Sequence, residues 1–213
     1  MSHAAILESL PIEQRLSLAY APARTRRALL ALLGLDQRLS QVVLTAREQM
    51  LGQLRLAWWR DRLGEERAAR RGEPLLDLLD ETVTERPSLV ALVDAWEGLL
   101  CVAPHGESQA IEALADARAA GFAALLPDGG DRVAAVRMAR AWALADLARL
   151  PSGAGQVAAV LATQADWQPA RLPRDLRSLA VLHGLARQRC GDFAAPSRPS
   201  AILIALRVGL LGV

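Results

Sequence analysis

Alanine and leucine together supply 80 of the 213 residues of this chain, and both are good helix formers. β-Branched residues fall only in short clusters, eight residues are aromatic, and no long alternating pattern occurs. An all-β fold is excluded on those grounds. At 52% apolar residues and 22.9 kDa, the chain can bury the core of one full-sized domain, and a single domain over 1–213 is expected.

Proline, glycine and capping residues divide the chain into nine or ten helices. Pro11 opens a short helix over 11–21, and Pro22 opens a longer one to about residue 42. Leu29, Leu32, Leu33, Leu39 and Val43 recur on it at mostly helical steps. Thr45-Ala-Arg-Glu48 reads as a capping box for a helix reaching residue 70. Further helices are expected over 75–85, 89–102 (Ser88 as cap), 108–126, 132–150 (Asp131 as cap), 156–164, 173–189 and 200–211. Loops are expected at 67–74, 104–106, 127–130 and 191–199, the Pro127-Asp-Gly-Gly130 turn being the clearest.

Composition removes several classes of chemistry. All 25 basic residues are arginines, so lysine Schiff bases, P-loop lysines and ordinary pyridoxal-phosphate chemistry are excluded. Cys101 and Cys190 stand alone, which argues against a structural zinc site and a disulfide scaffold. His3, His105 and His183 have no partners at ligand or triad spacing. No secretory leader pattern and no run of 18 uncharged apolar residues is present, so a soluble cytoplasmic protein is expected.

The net charge of +2 does not indicate nucleic-acid binding. Its distribution is uneven: residues 1–167 carry net −3 and residues 168–213 net +5. That basic C-terminal segment suits an acidic partner or peripheral contact with an anionic membrane surface, unless it is simply a solvated helix pair.

Three groups of residues carry candidate chemistry. Arg24, Arg26 and Arg27 cluster at a helix start, where guanidinium groups can grip a phosphate or remain a solvated end. Asp77, Asp80 and Glu81 share a short helix, with Asp77 and Asp80 on one face as a Mg²⁺–diphosphate site requires. The leucines around them also describe a plain amphipathic helix. In Trp58-Trp59-Arg60-Asp61 the two rings point about 100° apart, so one is expected in the core and the other at a boundary or groove.

The runs Ala21-Pro-Ala-Arg-Thr-Arg-Arg to Leu35, Gln41-Val-Val, and Met50 to Leu63 with its Trp-Trp-Arg resemble the squalene/phytoene synthase family. The likeness is best over residues 14–63 and continues more weakly through 139–149, at Leu172-Pro-Arg and in the closing Ile-Ala-Leu-Arg-Val-Gly. It implies an all-α isoprenoid-synthase bundle around a central cavity. Active members hold Mg²⁺ on a prenyl diphosphate with two aspartate-rich motifs. Placing Leu35 on the family's aromatic position puts Ser40, Gln41 and Leu44 where the first aspartates would stand. Leu150-Pro-Ser-Gly-Ala154 occupies the second. Ser, Gln and Leu cannot hold the metal cluster that neutralises a departing diphosphate.

The resemblance leans towards the family's non-catalytic branch, known for mitochondrial respiratory complex I assembly. It implies a protein partner, no cofactor, and Arg24, Arg27, Arg55, Trp58, Trp59 and Arg60 as ligand- or diphosphate-binding candidates. One alternative is a Mg²⁺-dependent prenyltransferase using Asp77, Asp80, Glu81 and Asp146, with Arg27 or Arg55 on the diphosphate. The other is a carrier holding an isoprenoid or lipid in the cavity.

Overall fold

The computed structural model describes residues 3–65, 73–83, 86–103, 105–126, 131–151 and 153–192, and the single positions 203, 206, 207 and 209. The described residues form ten α-helices and one 3₁₀ turn, with no strand among them. They run α1 (His3–Ser9), α2 (Ile12–Leu18), α3 (Ala23–Thr45), α4 (Gln49–Gly64) and α5 (Pro74–Thr82). Then follow α6 (Arg86–Leu100), α7 (Glu107–Ala123), α8 (Arg132–Leu147), α9 (Gly153–Gln164), the 3₁₀ turn Arg174–Leu176 and α10 (Arg177–Asp192). The turn at 127–130, positions 67–72 and 193–199 of the expected loops, and the expected helix at 200–211 apart from positions 203, 206, 207 and 209 lie outside the described residues.

The local rules explain most boundaries. Pro22 precedes α3 with φ −56°, the value its ring imposes. Asp131 caps α8 as expected, its carboxylate accepting from the Ala134 N–H at 2.9 Å. The capping box at Thr45 is corrected. Thr45 is the last residue of α3, and its hydroxyl donates back to the Gln41 carbonyl at 2.7 Å. Glu48 takes the N-cap position of α4 without a side-chain cap bond. Ser88 is corrected too, lying inside the first turn of α6 rather than before it. The segment before Pro11, for which no element was expected, forms α1.

Helix α3 is the axis of the bundle and packs against α1, α2, α4, α5, α6 and α7. Leu29, Leu32, Leu33, Leu35 and Leu39 are all buried on it, each worth roughly 1.5–3 kcal/mol of apolar burial. Among the described residues α3 is also the one helix long and apolar enough to cross a membrane, and 61% of its most apolar window is buried inside the bundle. Around it α6, α7, α8 and α9 pack in sequence, and α10 closes on α8 and α2. One continuous core joins α1 to α10. Gly52 lets α4 lie close to α6: a Cβ there would stand 2.7 Å from Leu100 Cδ2.

Candidate functional site

The polar centre of the bundle is Arg118 on α7, 5% exposed and set between two carboxylates. Its Nε and Nη2 reach Asp36 of α3 at 3.0 and 2.9 Å, a two-pronged grip. Its Nη1 reaches Asp146 of α8 at 3.0 Å. The guanidinium carbon lies 5.3 Å from the Trp96 ring centre and 5.8 Å from that of Trp142, a cation–π setting. Trp96 Nε1 also donates to Asp36 at 2.9 Å. Phe122 braces Trp142 edge-on at 5.3 Å.

Burial raises the Asp36 carboxyl above its ordinary range, opposed by the Arg118 charge and the Trp96 hydrogen bond. Burial also opposes the Arg118 charge, but Asp36 and Asp146 outweigh it and hold that guanidinium's pKa raised. The cluster continues outward: Asp146 Oδ1 lies 4.0 Å from Arg149, Arg149 lies 2.6 Å from Glu13, and Glu13 lies 3.5 Å from Arg189. Three acids and three arginines alternate from core to surface, so the row is formally neutral. A central cavity was expected here. The space beside Asp36, Arg118 and Trp142 is about 10 Å³, room for one water at most.

The residues picked from sequence are mostly engaged elsewhere. Arg24 Nε and Nη2 each reach Asp175 at 2.8 Å, pinning the start of α3 to the 3₁₀ turn. Arg26 donates to the Ala21 carbonyl, and Arg27 pairs with Glu81 of α5. Asp80 pairs with Arg86 at 2.9 Å, and Asp77 faces solvent. The trio Asp77, Asp80 and Glu81 is thus split three ways, far from the arrangement a shared metal would need. Arg60 clamps α4 to α6 through Asp94 and Glu97. Of the four carboxylates assigned to a metal, Asp146 alone faces the interior cluster. Among the described residues no three His, Cys, Asp or Glu side chains gather where they could hold one ion.

Trp59 fills the core at 4% exposure, while Trp58 is 41% exposed and meets it edge-on at 5.1 Å. Trp58 and Arg55 line an open groove of about 390 Å³ with Val42, Leu51, Leu54 and Trp59. Of the residues aligned with the first aspartate-rich motif, Ser40 is buried, whereas Gln41 and Leu44 are exposed.

Asp36 and Arg118 were not singled out from sequence, yet both carried a signal. Asp36 lies at helical spacing among Leu32, Leu33 and Leu39, and Arg118 among Leu114, Ala115 and Phe122. A charge in an apolar stripe requires an opposite partner from another helix. Compared with protein-family models, curated proteins and solved structures, the chain has no significant match in any of the three.

Proposed function

We propose that this chain is a non-catalytic binding protein on a squalene/phytoene synthase-like helical frame, with assembly of respiratory complex I as the specific form of that role. The observation that supports it is Arg118, which occupies the space between α3 and α8 and engages the carboxylates that face each other there. An enzyme ionising a prenyl diphosphate needs hard oxygen ligands free to hold Mg²⁺ against the leaving group, and room for the isoprenoid chain. Here Asp36 and Asp146 are both engaged by Arg118, and about 10 Å³ remains beside them. Typical small-molecule sites span some 300–1,000 Å³.

Diphosphate release from farnesyl and geranylgeranyl diphosphate, with and without Mg²⁺, tests this reading on folded protein. No release above background is expected, together with a stable protein complex recovered by crosslinking and pulldown. Mg²⁺-dependent release would make the chain a prenyltransferase and overturn the reading.

A further inference from the structure

The outer face of α4 is built like the receiving half of a helix–helix interface. Leu51, Leu54, Arg55 and Trp58 follow one another at i, i+3, i+4 and i+7, which places them in one stripe. The stripe is exposed: Leu51 by 48%, Leu54 by 61% and Trp58 by 41%. Three large apolar side chains side by side on a charged, arginine-rich helix are costly to leave in water, and contiguous exposed patches of this kind mark interaction sites. The surface is concave rather than flat, the groove of about 390 Å³ running between this stripe and Val42 of α3.

The groove is also held in shape before anything binds. Trp58 rests edge-on against the buried Trp59, and Arg62 stacks 5.6 Å from its ring centre. Arg60, on the opposite side, anchors α4 to α6 through Asp94 and Glu97. Tryptophan and arginine are among the residues enriched where binding energy concentrates at interfaces.

Charge identifies the occupant. Among the described residues Arg55 is the single charged side chain lining the groove. It is exposed and has no ion-pair partner among the described residues, whereas Arg24, Arg27, Arg60, Arg118 and Arg149 all do. Arg47, four residues before Leu51, is likewise exposed and unpaired among the described residues. Asp61 and Arg62, three and four residues beyond Trp58, stand at the other end, Arg62 over the Trp58 ring. Both ends of the stripe therefore carry mixed charge, Glu48 beside Arg47 and Arg62 beside Asp61, and among the described residues Arg55 is the unpaired charge that faces the groove itself. We propose that the α4 groove seats an amphipathic helix of a partner protein, its apolar ridge over Leu54 and Trp58 and a carboxylate of that ridge on Arg55.

This inference deepens the binding-protein reading and rests on it, but its test reads a different surface. A displayed library of 18-residue amphipathic helices would be selected against the full chain and counted again on Trp58→Ala and Arg55→Glu, both checked for folding by circular dichroism. Enriched helices should carry apolar residues at i, i+3 or i+4 and i+7 with an Asp or Glu on the same ridge. Their binding should fall about tenfold or more on each variant, and changing the peptide's carboxylate to Arg should restore binding to Arg55→Glu. Enrichment of basic helices, or binding indifferent to Trp58 and Arg55, would overturn the proposal. So would binding to phosphatidylglycerol vesicles that the selected helices fail to displace, which would make the occupant a membrane. Self-association lost in Trp58→Ala would also overturn it, by making the occupant a second copy. Loss of the charge-swap rescue would leave the interior reading intact, whereas Mg²⁺-dependent diphosphate release would remove that reading without touching the groove.

Discussion

Neighbouring residues with the same chemistry have separate fates here, and the reason is angular. Trp58 and Trp59 differ by about 100° around α4, so Trp59 enters the core at 4% exposure while Trp58 stays at the rim of the groove. That division was legible in the sequence, although which ring took which place was not. His183, which has no partner at ligand or triad spacing in the sequence, has a definite physical setting in the fold. It is 2% exposed, lies against Trp167 at 5.2 Å, and its Nε2 has no hydrogen-bond partner among the described residues. Burial, with the charges of Arg137 and Arg187 adding to it and Asp166 opposing, lowers its pKa to about 4. The unfolded chain takes up this proton below about pH 6.5 and the folded chain only near pH 4. Stability from the neutral ring is therefore complete above pH 6.5 and is lost as pH falls towards 4, by at most roughly 3 kcal/mol. Urea unfolding from pH 7.5 to 4.5 should show that slope in the wild type and its flattening in His183→Leu. Equal slopes in both proteins would refute it.

The helices themselves were largely readable, because proline and aspartate act on the backbone within a turn of where they stand. Asp131 before α8 behaves as its side chain dictates. Thr45 failed as a cap because α3 runs on through it, driven by a buried face that extends to Val42. Tertiary burial of a 23-residue helix outweighs a local capping preference worth about 1 kcal/mol. Asp131→Ala should lower unfolding stability by about 1 kcal/mol, while Thr45→Ala should change it by no more than about 0.5 kcal/mol. A loss on Thr45→Ala matching that of Asp131→Ala would mean that the threonine caps α4 after all. The candidate phosphate ligands illustrate the opposite limit of sequence reading. Arg24 and Arg27 have partners 151 and 54 residues away, in Asp175 and Glu81. No local pattern encodes such a separation.

For the whole molecule, the helical class followed from composition, but the content of its interior did not. Whether two facing helices enclose a ligand space or a salt bridge depends on what a third helix inserts between them. Here α7 inserts Arg118, and the interior becomes a neutral ion row leading outward past Asp146 to Arg149, Glu13 and Arg189. Such a row adds little net stability over a well-packed apolar core, yet removing one member leaves uncompensated buried charge. Asp36 would then lose the cation it is paired with, while Asp146 would keep Arg149 at 4.0 Å. The most direct measurement is chemical denaturation of Arg118→Met and of the double variant Asp36→Asn/Arg118→Met at pH 7. If Arg118 is the keystone of a closed cluster, the single variant loses roughly 3–5 kcal/mol and the double variant recovers most of it. The deficit of the single variant also shrinks as pH falls through the raised pKa of Asp36, because protonation removes the stranded charge. An Arg118→Met protein as stable as the wild type, or more so, would contradict the closed cluster. That result is the mark of a functional cation held at the expense of stability, and it would return the interior of the bundle to candidacy as a ligand site.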